Sequence, residues 1–119
     1  MEEKKKKVYI SVPISGRDMK DVEADVERLR GIIEEWGMEA VSPLEVSPSG
    51  DEANFASMGR SVMALMGCDA ALFADGWSKS KRCRVEIYVA VQYGILELYE
   101  RYAKKDQGKE ISEALNRRS

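Results

Sequence analysis

The sequence of 119 residues contains no histidine and only two cysteines. The absence of histidine excludes Ser-His-Asp and Cys-His catalysis and removes the commonest zinc ligand. Acid–base or nucleophilic chemistry must therefore come from carboxylates, tyrosine, lysine or serine. Cys68 and Cys83 form neither a CxxC motif nor an even framework of four or six cysteines, a pattern typical of reduced thiols in a cytoplasmic protein.

Long hydrophobic runs and an excess of basic residues are also missing. The apolar runs fall far short of the roughly 20 residues that a membrane helix needs. The basic stretch Lys4–Lys7 is followed by too short an apolar run for a signal peptide. Lys and Arg number 19 against 21 Asp and Glu, a net charge of −2, which argues against a nucleic-acid partner. Hydrophobic residues make up 44% of the chain, as expected for one soluble globular domain.

Short β-rich runs alternate with amphipathic helical patterns along the chain. Between Asp18, a candidate N-cap, and Gly37, apolar residues recur at spacings of four and three, which indicates one helical face. The uninterrupted apolar run 70–74 is typical of a central parallel strand covered on both faces. We expect strands at 7–12, 38–41, 70–74 and 95–99, helices at 18–37, 55–67 and 82–93, and an exposed loop at 42–51.

This order predicts a three-layer α/β sandwich, flavodoxin-like or Rossmann-like, with a parallel sheet of four or five strands in the order 2-1-3-4. Residues 1–99 are expected to form this domain. Residues 100–119 are expected to form a charged C-terminal helix or tail with a thin apolar edge, Ile111 and Leu115. Ligands of such sheets bind at the carboxyl ends of the strands, where the strand order reverses. The site is therefore expected at the loops that follow the first and third strands.

The loop after the first strand offers Pro13, Ser15, Gly16 and Arg17 just before a helix begins. A small hydroxyl, a glycine and an arginine at that position suit a phosphate or a sugar. The alternative is an ordinary turn with an exposed arginine.

Glu86 is the carboxylate of greatest interest, because its helix carries apolar residues on most sides and leaves few favourable places for a charge. It lies near the start of that helix, where the macrodipole favours an anion. The alternative is a surface glutamate paired with Lys81, Arg82 or Arg84.

Three further residues have both a functional and a structural interpretation. Tyr9 either reaches the carboxyl end of its strand with its hydroxyl, or its side chain only packs in the core or across strands. Asp69 either takes part in the chemistry or caps its strand. Trp77 either stacks on a base or ring or folds back onto the sheet edge.

Two segments together resemble a known family. Residues 8–16, VYISVPISG, resemble the opening YISGPISG of the nucleoside 2-deoxyribosyltransferase-like superfamily. Residues 68–86, CDAALFADGWSKSKRCRVE, resemble the segment CDAIYLLPGWEKSRGAxxE of a bacterial and phage branch of that superfamily whose function is not assigned. The resemblance covers residues 7–99 and implies a flavodoxin-like sandwich.

The resemblance also implies a chemistry, deoxyribosyl transfer or hydrolysis at an N-glycosidic bond. Glu86 would attack the anomeric carbon of a 2-deoxyribose, Tyr9 would orient it, and Ser80 would bind the sugar or a 5′-phosphate. The loop that matches Ser15, Gly16 and Arg17 would face the same end of the sheet. From their place in the loop after the third strand, Asp75, Gly76 and Trp77 are expected to bind the substrate too. Such chemistry requires neither a metal nor another cofactor.

Three departures from the family pattern leave alternatives open. Val12 replaces a glycine, Arg82 and Cys83 replace a small Gly-Ala pair, and Ser61 replaces the aspartate that helps protonate the leaving base. Serine is a poor general acid, so one expectation is a slow reaction that an aspartate restored at position 61 would accelerate. A second is that Asp69 or Asp75 takes the role of the acid. A third is that the protein is a non-catalytic nucleotide-binding or protein-interaction module.

The second and third helices carry more apolar surface than a small domain can bury on one face. The residues concerned are Met58, Met63, Met66, Tyr88 and Val91. We expect a symmetric homo-oligomer that forms through these helices.

Overall fold

The computed structural model describes residues 4–46 and 55–118. Within those residues the sheet has four parallel strands in the order β2-β1-β3-β4, which confirms the predicted α/β class, strand direction and order. The strands are β1 (Lys7–Ser11), β2 (Glu39–Val41), β3 (Ala70–Phe73) and β4 (Leu96–Tyr99). The helices are α1 (Met19–Glu35), α2 (Pro43–Val46), α3 (Phe55–Met66), α4 (Lys81–Gln92) and α5 (Gly108–Arg118).

Side chains of β1 alternate between two hydrophobic layers. Val8 and Ile10 pack in one buried cluster with α1 and α5, while Tyr9 lies in a second cluster with residues of α3 and α4. Every residue of β3 is buried, which explains its continuous apolar sequence, because helices cover both faces of the sheet. The result is the predicted three-layer sandwich. No helix of the described residues is long and apolar enough to cross a membrane.

The first helix follows its sequence pattern closely. The Asp18 side chain accepts a hydrogen bond from the backbone N–H of Lys20 and so caps α1, and the four buried residues of α1 have the predicted spacing. Gly37 adopts a φ of 76° just beyond the helix, a left-handed conformation that suits glycine.

The prediction of an exposed loop at 42–51 is wrong for its first part. Residues Pro43–Val46 form one helical turn, and Ser42 and Pro43 are buried. The Ser42 hydroxyl accepts a hydrogen bond from the Leu44 N–H, and proline fits the first helical position, since its missing N–H is not needed there. The remainder of that predicted loop lies outside the described residues.

The C-terminal segment contributes more to the core than its sequence indicates. Ile111 and Leu115 of α5 are only 6% and 5% exposed and belong to the cluster formed with α1. Before α5, the indole N–H of Trp36 donates to the carbonyl oxygen of Lys104 over 2.7 Å. The segment after β4 is thereby held against the same face of the sheet as α1.

Candidate active site

A buried carboxylate with two hydroxyl donors lies between β1 and α4. Tyr9 and Ser11, two residues apart on β1, point to the face covered by α3 and α4. The Tyr9 hydroxyl donates to Oε2 of Glu86 over 2.6 Å, and the Ser11 hydroxyl donates to Oε1 over 2.8 Å. All three residues are completely buried. The two residues predicted to act together, Tyr9 and Glu86, are thus in direct contact.

The sequence analysis missed Ser11. Strand alternation was the available signal, because a residue two positions after Tyr9 must share its face of the sheet. The interpretation of Glu86 as a surface residue is wrong, because its side chain is fully buried. One of the three cations considered for it, Arg82, does lie beside it, with Nε 3.9 Å from Glu86 Oε2.

Arg82 lies inside the protein, one helical turn before Glu86, and is only 2% exposed. Its Nη2 donates to the hydroxyl of Ser61, which α3 brings to the cluster. Ser61 also lowers the pKa of the Tyr9 hydroxyl, against the larger effects of burial and of Glu86 that raise it. Nε and Nη1 of Arg82 have no hydrogen-bond partner within the described residues.

The electrostatics of this cluster keep Tyr9 protonated. Burial of the phenol raises the pKa of Tyr9 well above its usual value of 10.0, and the negative charge of Glu86 and the hydrogen bond to it act in the same direction. Tyr9 is therefore a neutral donor at physiological pH. A carboxylate in such a place is tolerable because a guanidinium and two hydroxyls compensate its charge.

The loop after β1 is partly committed to contacts within the chain. Nη1 of Arg17 donates to the carbonyl oxygen of Pro13 over 2.9 Å and pairs with Asp25 of α1 at 2.8 Å. Ser15 and Gly16 are exposed, and Gly16 has a φ of 75°. The loop therefore presents a hydroxyl and a glycine to solvent, whereas its arginine turns toward α1.

The loop after β3 borders a surface cleft of about 660 Å³ at the carboxyl ends of β3 and β4. Gly76 meets the neighbouring loop, since a Cβ placed on it would lie 4.0 Å from Cγ of Pro13. The two predicted loops thus converge. The cleft is lined by Asp75, Gly76, Trp77, Lys79, Tyr99 and Arg101, among others.

Trp77 lies in this cleft and also packs on the sheet edge. Its ring is 6.3 Å from that of Phe73 and 5.7 Å from that of Tyr99, measured between centroids. These ring contacts confirm that Trp77 folds back onto the sheet edge, and the half-buried indole also borders the cleft. Stacking of Trp77 on a base or ring stays a prediction.

Ser80 and Asp69 have structural contacts. The Ser80 hydroxyl accepts a hydrogen bond from the Cys83 N–H and caps α4, so the helix begins at Lys81. Asp69 accepts a hydrogen bond from the Lys7 N–H at the amino-terminal ends of β1 and β3. Parallel strands all run the same way, so Asp69 lies at the opposite edge of the sheet, about 13 Å along the strand direction from the carboxyl ends. The structure therefore does not bring Asp69 to the Glu86 cluster.

The cluster, its loops and the whole sheet lie within residues 6–99, which match a family model described as domain of unknown function DUF4406. The chain belongs to this family. No match is found among curated proteins. Among the described residues, no group of three or more cysteine, aspartate or glutamate side chains is placed to hold a metal ion.

Proposed function

We propose that this DUF4406 member cleaves the N-glycosidic bond of a nucleoside or nucleotide, with Glu86 as the nucleophile, and that it belongs to the nucleoside 2-deoxyribosyltransferase-like superfamily. The observation that carries the proposal is the contact of the buried Glu86 carboxylate with the Tyr9 and Ser11 hydroxyls. Two donors on one rigid strand hold the carboxylate in a single orientation, as a nucleophile requires.

The reaction would proceed in two displacements. An oxygen of Glu86 attacks the anomeric carbon as the bond to the base breaks, through a transition state with oxocarbenium character. The sugar is then held as an ester of Glu86 until a second base or water attacks it. Tyr9 and Ser11 position the carboxylate and stabilise its negative charge before attack.

The substrate would enter from the edge where the loops after β1 and β3 converge. Pro13 borders one side of this entrance, with the exposed Ser15 and Gly16 next in the same loop, and the cleft at Trp77 borders the other. Lys79 and Arg101 give that cleft two cations, which favours a substrate carrying a phosphate. Glu86 itself is buried, so the side chains that cover it must move before a sugar can reach it.

The test is incubation with a panel of 2′-deoxynucleosides and their 5′-monophosphates, followed by chromatography for free base. Base release that is lost in Glu86→Gln and retained in Glu113→Gln, an exposed glutamate of α5, supports the proposal. Glu86→Gln also breaks a buried ion pair, so a loss of activity in this variant does not by itself identify the nucleophile. The wild type is therefore also incubated with 2′-deoxy-2′-fluoro nucleosides, in which fluorine slows hydrolysis of the ester between the sugar and Glu86. Mass spectrometry should then find the sugar on the peptide that contains residue 86. Wild-type protein that releases no base and carries no sugar would exclude the proposal.

A second function is favoured by the burial of both Glu86 and Arg82. A carboxylate already held by two hydroxyls and a neighbouring guanidinium has the character of a structural network, which suits a non-catalytic nucleotide-binding module. This alternative expects no base release, while a nucleotide still raises the melting temperature by mass action.

We also propose that the chain assembles into a symmetric homo-oligomer through the outer face of α3 and α4. Large apolar side chains are exposed on these two helices, which contact each other. They are Met63, Met66, Val85, Tyr88 and Val91. Sedimentation equilibrium should show association that Tyr88→Lys weakens. A stable monomer at high micromolar concentration would contradict it.

A further inference from the structure

Arg82 has two buried guanidinium nitrogens whose N–H groups donate to no described residue. Nε and Nη1 are without a hydrogen-bond partner, while Nη2 donates to Ser61. Leaving donors of a charged group unpaired and buried is costly, and native proteins rarely do so without a reason. The guanidinium is therefore placed to receive acceptors that the described residues do not supply.

The position of Arg82 suggests which acceptors these are. It lies against Glu86 on the preceding turn of α4, so a group that reacts with the carboxylate comes within reach of the guanidinium. We propose that Arg82 is a catalytic residue that stabilises the nucleobase as it leaves with a negative charge. This inference rests on the proposed function, since it assumes that Glu86 attacks the anomeric carbon.

The charge of the cluster supports this role. Before the reaction, the carboxylate of Glu86 carries −1 and Arg82 carries +1. When the carboxylate oxygen bonds to the anomeric carbon, the ester is neutral, and the electron pair of the broken C–N bond remains on the base. The negative charge thus moves from Glu86 to the base, and Arg82 pairs first with one and then with the other.

No proton transfer from the protein is needed in this step. Arginine remains protonated in proteins, so Arg82 donates hydrogen bonds and keeps its proton. The expelled base takes its proton from water after it has left. The substrate class is a nucleoside whose base presents an acceptor next to the glycosidic nitrogen, such as the 2-carbonyl oxygen of a pyrimidine or N3 of a purine, because the guanidinium can then donate to it.

Ser61 has a different role in this scheme from the one that its sequence position suggests. An aspartate at position 61 would face Arg82, remain ionised beside it and compete with the base for the same guanidinium. Ser61→Asp should therefore slow base release, contrary to the gain expected if the position simply lacks a general acid. Ser61→Ala, which adds no charge, is the matched control.

The test compares leaving groups that differ in the charge they acquire. Wild type, Arg82→Gln, Arg82→Lys, Ser61→Asp and Ser61→Ala are assayed for kcat/KM on 2′-deoxyguanosine and on 7-methyl-2′-deoxyguanosine, whose base leaves without a negative charge. The pair 2′-deoxyuridine and 5-fluoro-2′-deoxyuridine, whose base is the more stable anion, is run beside them. Melting temperatures establish which variants are folded.

We expect Arg82→Gln to lower kcat/KM about 10²–10³-fold on 2′-deoxyguanosine and less than about tenfold on the methylated substrate, as for removal of a donor to a developing anion. On 2′-deoxyuridine the loss should be several times larger than on its 5-fluoro derivative. Arg82→Lys should recover part of the rate, because it retains the charge without the planar array of donors.

Two results would overturn the inference while leaving Glu86 as the nucleophile. One is an equal loss in Arg82→Gln on both members of a pair, which is the behaviour of a purely structural residue. The other is faster base release by folded Ser61→Asp than by the wild type. This comparison tests the role of Arg82 even where Arg82→Gln does not fold. A wild type that releases no base from any of the four substrates and from the wider panel removes the proposed function and this inference with it.

Discussion

The hydrogen bond between Tyr9 and Glu86 can be measured with a double-mutant cycle on stability. Tyr9→Phe removes one oxygen and leaves the ring in place, so it opens no large cavity. The bond is 2.6 Å long, fully buried and accepted by a carboxylate, and bonds to charged groups contribute about 1.5–3 kcal/mol. In a Glu86→Gln background the acceptor is a neutral amide, for which about 0.5–1.5 kcal/mol is usual. Tyr9→Phe should therefore lower the free energy of unfolding by about 1–2 kcal/mol more in the wild-type background than in the Glu86→Gln background.

The assay is urea denaturation of the wild type, both single variants and the double variant, followed by circular dichroism. Glu86→Gln by itself should cost about 3–5 kcal/mol, because it leaves Arg82 buried without its counter-ion. Tyr93→Phe at the end of the same helix is the control, since that tyrosine is 66% exposed and the loss of its hydroxyl should change stability by less than about 0.5 kcal/mol. The contact between Tyr9 and Glu86 is refuted if the double variant loses the sum of the two single losses of stability, to within about 0.5 kcal/mol.

Three further predictions address other parts of the structure. The folded protein holds the proton of Tyr9 to a higher pH than the unfolded chain, whose tyrosines ionise near 10.0. The free energy of unfolding is therefore unaffected by this group below that pH and should fall above it by up to about 1.4 kcal/mol per pH unit. Urea titrations from about pH 9 to pH 11 should show that Tyr9→Phe reduces this slope. Burial raises the pKa of Cys68 to about 12, so iodoacetamide at pH 8 should label it roughly a thousandfold more slowly than a free cysteine, and labelling at the free rate in native protein would contradict the packing. Gly108→Ala should destabilise the protein by about 1–3 kcal/mol, because its Cβ would lie 2.9 Å from the backbone of Trp36. Gly31→Ala in α1 has open space around it and should stabilise the protein by about 0.5–1 kcal/mol. Thermal melts in which both substitutions change the stability in the same direction would argue against the docking of α5.

Much of the fold could be predicted because it depends on local periodicity. The apolar spacing of α1 and the continuous apolar run of β3 reflect whether each element is covered on one face or on two. The alternation of strands and helices then favours parallel strands with right-handed crossovers, which limits the possible strand orders. The exception was the helical turn Pro43–Val46, where capping by Ser42 outweighed a composition typical of a loop.

The site could be predicted only in part, for a different physical reason. The sequence by itself identified Glu86 as a charge on a largely apolar helix and Tyr9 as a hydroxyl inside the first strand, because both follow from residue type and element. Only the tertiary structure decided that Ser11 completes the carboxylate site, that Arg82 is buried beside it, and that Ser61 binds Arg82. The position of Asp69 at the amino-terminal ends of the strands, away from the cluster, was also decided only by the tertiary structure. The hydrogen bonds that Tyr9, Ser11 and Arg82 donate in this cluster join β1, α3 and α4 across 21 to 77 residues of chain. Local patterns contain no information on which side of one element faces another. Packing of the two helices on the sheet sets those distances, and the chemistry of the cluster depends on them.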